Sequence, residues 1–190
     1  MAKTIATPTD VFATPPRKHV MLLSCMDQRL LDNIVHFMNA LNLQNRYDQV
    51  IFAGASMGAS QLGSPLFPTT PPPTKPPLQI PWREVFFDHL VTAIDGLDRP
   101  IHDIFLLEHM DCGAYKELHP DANVKRLYKE SHDADGWRPF HLAETMSFAA
   151  EVVTFCKGQP RRKQWKDIRV WSLLMDLRGR VETLGCVVAD

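Results

Sequence analysis

A chain of 190 residues, 45% hydrophobic and 23% charged, has the makeup of one globular domain large enough to bury a substantial core. Its formal net charge of -1 comes without any cationic stripe interleaved with aromatics, which excludes the electrostatic footprint of a nucleic-acid or anionic-membrane binder. The opening residues hold no continuous apolar run, and no stretch has transmembrane length, so a cytoplasmic protein without a membrane partner is expected.

Residues 1–17, with Pro8, Pro15 and Pro16, are expected to form an arm without regular structure. His19 to Ser24 is an apolar run suited to a central parallel strand, buried on both faces. Leu30, Leu31, Ile34, Val35, Phe37, Met38 and Leu41 then recur at helical spacing and predict a helix with one broad apolar face. Tyr47 to Ala53 is a second strand. Gly54-Ala55-Ser56-Met57-Gly58 follows as a tight small-residue turn, lacking the glycine spacing and the lysine of phosphate-binding loops.

Residues 59–81 collect Pro65, Pro68, Pro71, Pro72, Pro73, Pro76, Pro77 and Pro81 out of 15 prolines. Such a stretch excludes helix and central strand, and an extended inserted loop is expected, lying over the site or across a subunit boundary. Trp82 to Leu97 resumes helical spacing through Val85, Phe86, Leu90, Ala93, Ile94 and Leu97, and Ile101 to Leu107 is a third strand. A short helix around Ala114 to Leu118, another within Asp121 to Trp137, and a long one from His141 to Lys157, opened by Pro139 and closed by Gly158, come next. Asp167 to Leu174 is a fourth strand, and Val181 to Val188 returns as an antiparallel edge strand. The fold class is thus α/β, a mostly parallel sheet flanked by helices, without internal repeats.

Two apolar runs end in reactive groups: Leu22-Leu23-Ser24-Cys25-Met26-Asp27-Gln28-Arg29 and Leu106-Leu107-Glu108-His109-Met110-Asp111-Cys112-Gly113. Ends of parallel strands are where open α/β sheets bind ligands. Cys25, His109 and Cys112 supply two thiolates and an imidazole, a ligand set for catalytic zinc that leaves a fourth position open. Zinc lowers the pKa of a bound water to roughly 7 and makes hydroxide available at neutral pH. Asp27 can aim that hydroxide, and Arg29 can keep Asp27 ionised; released from Arg29, the carboxylate can block the open position instead.

Cys25-Met26-Asp27-Gln28-Arg29 and His109-Met110-Asp111-Cys112-Gly113 resemble the C-x-D-x-R and H-x-x-C-G motifs of the β-carbonic anhydrase family, most of all its smaller prokaryotic branch. The resemblance spans residues 19–58 and 82–188, including the last strand pair around Asp176. It implies zinc on Cys25, His109 and Cys112, Asp27 and Arg29 as the catalytic dyad, reversible hydration of carbon dioxide, strand order 2-1-3-4 plus an edge strand, and a homodimer wrapped by N-terminal arms. Three features depart from the family: Phe52-Ala53-Gly54-Ala55 stands where many members carry Arg-Asn-Ala-Gly, Glu108 stands where Gly or His is usual, and the proline-rich insertion at 59–81 enters close to where the family builds its pocket and subunit contact. Carbonyl sulfide or carbon disulfide hydrolysis, and a non-catalytic zinc-stabilised assembly protein, are the alternatives. Asp111 is expected to shape the loop or accept a hydrogen bond near the metal. Cys156 and Cys186 are expected in the core rather than in disulfides. His36 and His89 fall inside helices, and His102, His119, His132 and His141 are expected as solvated or capping residues near loops. Trp82, Phe86, Phe87 and Tyr47 are read as core or dimer interface.

Overall fold

The computed structural model describes residues 19–61, 82–160 and 162–189. Its strands are β1 (His19–Cys25), β2 (Tyr47–Phe52), β3 (Ile101–His109), β4 (Ile168–Met175) and β5 (Val181–Ala189). The helices are α1 (Leu31–Ala40), α2 (Ala55–Gln61), α3 (Trp82–Val91), α4 (Gly113–Glu117), α5 (Ala122–Glu130), α6 (Ala134–Lys157) and α7 (Arg162–Trp165). A 3-10 turn at Gln28–Leu30 leads into α1, and α3 runs on into a π turn at Thr92–Gly96. One sheet has the order β2-β1-β3-β4-β5, parallel except for the β4–β5 pair. This is the expected α/β architecture with its antiparallel edge.

The central strands are buried along nearly their whole length because helices cover both faces. On one face Val20, Leu22, Phe105, Leu107, Trp171 and Leu173 pack with Leu30, Ile34, Phe37 and Met38 from α1 and the turn before it. On the other, Met21, Leu23, Ile104, Leu106 and Val170 pack with Phe86 and Leu90 of α3 and Phe148 and Val152 of α6. Burying each large side chain contributes about 1.5–3 kcal/mol, so these layers supply most of the drive to fold. From β1 the chain steps to β2 on one side, and later to β3 on the other. The ends of β1 and β3 therefore open at the point where strand order reverses, with Ser24 paired to Leu107.

Several local expectations are corrected. The apolar face of α1 is narrower than the sequence suggests: Leu31 and Val35 are exposed, as is Leu97 after the π turn. Gly54 to Gly58 is not merely a turn, since α2 begins at Ala55 and continues through Gln61, into residues expected to be extended. Its small residues permit close approach, for a Cβ on Gly58 would lie 2.2 Å from the Ala53 carbonyl oxygen. Gly54 itself has a φ of +78°. Helix α6 starts at Ala134, leaving Pro139 in its second turn. The Asp133 side chain caps it by accepting from the Gly136 N–H, and Trp137 Nε1 donates to the Tyr128 carbonyl, which holds the additional turn against the proline. Cys186 is exposed on β5 rather than in the core, whereas Cys156 is buried, and both are free thiols.

Phe86 is fully buried, Phe87 and Trp82 pack against the same core, and Tyr47 packs on the opposite face. The expected arm, residues 1–17, and residues 62–81 of the expected proline-rich insertion lie outside the described residues. Among the described residues no helix is long and apolar enough to cross a membrane.

Candidate metal centre

Cys25 is the last residue of β1, His109 the last of β3, and Cys112 caps the start of α4. Between the latter two, Asp111 takes a left-handed conformation, φ +57°, which reverses the chain so that Cys112 faces back towards β1. The ligand atoms of the three residues lie within 4.8 Å of one another, and all three residues are buried. The two sulfurs are 3.9 Å apart. A tetrahedral site with metal–sulfur bonds of about 2.3 Å has a sulfur–sulfur edge of about 3.8 Å, so the thiols already stand at a metal-holding separation.

The imidazole is set in the same sense. His109 Nδ1 donates to the Met110 carbonyl oxygen at 2.9 Å, which fixes the tautomer and leaves the Nε2 lone pair free. Nε2 is buried and has no hydrogen-bond partner among the described residues. A buried acceptor without a donor is costly, and a cation on the adjacent sulfurs would satisfy it. Without a metal, Cys25 is held well below the ordinary thiol range because the Cys112 thiol donates to it, with His109 and the Gly54 N–H adding to the effect against the cost of burial. Cys112 is correspondingly pushed up. The Gly54 N–H lies 3.3 Å from the Cys25 sulfur, which gives the glycine turn after β2 a direct part in the site.

Arg29 ties the two motifs together. Its Nε and Nη2 grip Asp27 at 2.9 and 2.6 Å, while Nη1 donates to Asp111 Oδ2 at 2.8 Å and Nη2 to the Asp111 carbonyl at 3.0 Å. The Asp27 carboxyl is lowered to about 2, chiefly by Arg29. Its Oδ2 stands 3.9 Å from His109 Nε2, beside the open side of the triad. Asp111 also pairs with Lys116; burial raises its carboxyl, and Lys116 and Arg29 outweigh that to leave it lowered. Asp111 thus shapes the loop and accepts hydrogen bonds, and it is not among the clustered metal-ligating groups.

A pocket of about 300 Å³ opens over the site, lined by Cys25, Met26, Asp27, Ala53, Gly113, Ala114, Glu117 and Leu118. Its walls are largely apolar, and Ala53 stands where a polar side chain was expected by resemblance.

Beneath the site lies a cluster the sequence did not reveal. Glu108 and His141 are both fully buried, 1% and 0% exposed, with His141 Nδ1 3.3 Å from Glu108 Oε2. His141 was expected near solvent; instead it sits inside α6, where burial lowers its pKa and favours the neutral ring. His119 is buried as well, against Glu144 at 3.3 Å. A glutamate in the apolar run Phe105-Leu106-Leu107 was the available signal, because a buried carboxylate demands partners.

No family model matches the sequence. An uncharacterised protein of Rickettsia bellii is 23% identical over 164 residues, covering 86% of this chain and 80% of its own length. An uncharacterised protein of Rickettsia conorii is 25% identical over 166 residues, covering 86% and 70%. Among solved structures, the β-carbonic anhydrase CcaA matches with a TM-score of 0.51 at 14% identity, over 92% of this chain and 84% of that one. The Coccomyxa β-carbonic anhydrase bound to acetazolamide has a TM-score of 0.50 at 15% identity, over 92% and 74%. CafD of Aspergillus fumigatus, another β-carbonic anhydrase, gives 0.50 at 12% identity, over 88% and 89%. The chain has the fold of the β-carbonic anhydrases.

Proposed function

We propose that this chain is a zinc enzyme of the β-carbonic anhydrase type, interconverting carbon dioxide and bicarbonate, with Cys25, His109 and Cys112 holding the metal. The observation that carries the reading is the triad itself: two sulfurs 3.9 Å apart beside a buried imidazole nitrogen that has no hydrogen-bond partner among the described residues. Zinc bound there would act as a Lewis acid and bring the pKa of a water towards neutrality.

The surrounding residues have separable tasks. Asp27, ionised and clamped by Arg29, accepts a hydrogen bond from a water on the open side of the triad and turns its lone pair towards the pocket. Held ionised by the Arg29 fork, Asp27 would orient that water rather than keep its proton. Met26, Ala53, Ala114 and Leu118 offer a small apolar wall suited to an uncharged linear substrate. The same wall favours a second reading, hydrolysis of carbonyl sulfide, which is less polar than its products.

Stopped-flow hydration of carbon dioxide by the zinc-loaded protein, set beside Asp27→Ala, tests the first reading. Full metal with no hydration would sink it, and sulfide release from carbonyl sulfide would move the assignment to the second. Homodimer formation belongs to the same reading and is supported by the exposed Leu31 and Val35 on α1. Light scattering on Leu31→Lys/Val35→Lys checks it, with a monomer expected.

A further inference from the structure

We propose that Glu108, His141 and Tyr128 are positioning residues for the metal loop, a directional hydrogen-bond chain that runs from a buried carboxylate to the backbone of Cys112. The inference rests on the metal-centre reading above but concerns groups that touch neither metal nor substrate.

With Glu108 as a carboxylate, the distances admit one consistent assignment of protons. Glu108 Oε1 accepts from the Ser56 N–H at 2.8 Å, and Oε2 faces the Tyr115 hydroxyl and His141 Nδ1, each at 3.3 Å. A carboxylate offers no proton, so His141 must donate from Nδ1. Its Nε2, 2.9 Å from the Tyr128 oxygen, then accepts a hydrogen bond from the Tyr128 hydroxyl. The Tyr128 oxygen is thereby left with lone pairs for the Cys112 N–H, which donates to it at 2.9 Å. The opposite tautomer, or a protonated ring, would aim Nε2–H at Tyr128 and leave its hydroxyl proton without an acceptor. Every group in the chain is deeply buried, so each misdirected proton is costly.

Packing fixes the chain in place. Tyr115 stacks on Tyr128 with ring centroids 5.1 Å apart and lies 4.4 Å from the His141 ring, while Trp137 holds Tyr128 from the other side. Glu108 therefore reaches both halves of the second motif. It precedes His109 in β3, and through His141 and Tyr128 it sets where the Cys112 peptide sits, and hence where that sulfur sits relative to Cys25. A pair serving only to fill space would need no such polarity.

Two variants test this, read by zinc affinity in chelator competition, by the thiolate-to-metal absorption of the cobalt-substituted protein, and by exchange of the Cys112 amide in the metal-free protein. Tyr128→Phe keeps the ring and removes the acceptor. It should weaken zinc binding about tenfold, shift the cobalt spectrum and speed amide exchange. Glu108→Gln keeps size and shape but puts an NH2 where His141 now donates, reversing the chain; a smaller drop in affinity and a spectral shift are expected. A packing role predicts neither. Should Tyr128→Phe fail to fold, Glu108→Gln decides. If both variants stay folded by circular dichroism with zinc affinity, cobalt spectrum and amide exchange within twofold of wild type, the proposal is overturned. If the wild type takes up no metal, the metal-centre reading falls on its own. Amide exchange in Tyr128→Phe then decides the positioning chain, faster exchange supporting it and unchanged exchange overturning it.

Discussion

Arg29→Lys removes a fork that ties the two loops of the candidate metal centre together, while keeping its charge. The guanidinium holds Asp27 through Nε and Nη2 and Asp111 through Nη1 and Nη2, a two-sided fork that an ammonium cannot reproduce. Lowering Asp27 from its ordinary 3.8 to about 2 would correspond to about 2 kcal/mol unscreened; because Arg29 is 45% exposed, solvent reduces it to about 1 kcal/mol. The sign follows from a depressed folded-state pKa: the contribution is complete above about pH 4 and is lost as pH falls through about 2. Urea melts of the wild type should gain about that amount between pH 2 and 5, and Arg29→Lys should gain less. The catalytic cost is larger than the stability cost, because a carboxylate displaced by about 1 Å loses its aim, and roughly a hundredfold fall in kcat/KM for carbon dioxide is expected. The assay is stopped-flow hydration at matched zinc content. A lysine variant with full metal, a rate within twofold of wild type and an unchanged acid limb would refute the role given to the fork.

Three further outcomes are expected. Gly58→Ala would normally gain helix propensity, up to about 1 kcal/mol, but its Cβ would lie 2.2 Å from a backbone oxygen that no side-chain rotation can move. Overpacking of about 1–3 kcal/mol should win, seen as a lower urea midpoint, and zinc affinity should fall as α2 carries the Gly54 N–H away from Cys25. Arg169→Met should destabilise by about 3 kcal/mol in the same melts, because it removes the cation paired at 2.7 Å with the fully buried Asp103 and leaves that carboxylate with neutral donors such as Trp171 Nε1. Its zinc affinity should not change, since that pair joins β3 and β4 at the end away from the metal. Stripping metal with a chelator should lower the melting temperature; metal at a hundred times its dissociation constant adds about 2.7 kcal/mol, or roughly 5–10 °C for a chain of this size.

The parts of this architecture legible in the sequence are those written in local pattern. Leu22 to Cys25 and Leu106 to His109 are apolar runs that stop at reactive groups, and a parallel sheet places such ends together. What escaped depended on partners distant along the chain. Pro139 signals a helix start by its own chemistry, but the Asp133 cap and the Trp137 contact with Tyr128 fix the helix start five residues earlier. Periodicity put Leu31, Val35 and Leu97 on apolar faces without revealing how wide a stripe the sheet can cover. Cys186 is exposed on the edge strand β5, a position that the alternation of a strand does not by itself tell from a core one. Glu108 and His141 meet across 33 residues, and only the packing of α6 on β3 makes them neighbours.

The β1–β3 pairing also bears on the order in which this protein is assembled. Cys25 and Cys112 are 87 residues apart, so in an unfolded chain a metal ion would have to close a very long loop to hold both. The entropy of that closure grows only slowly with length, but nothing repays it until the strands are in register. The hydrogen-bonded ladder brings the sulfurs together without an ion, so a metal bound there would arrive at a finished sheet and act as a late lock on it. Of the chain that travels between the two motifs, the turn after β2 is the part the site draws on, because its Gly54 and Ser56 N–H groups reach Cys25 and Glu108 and tie the outer strand to the same point.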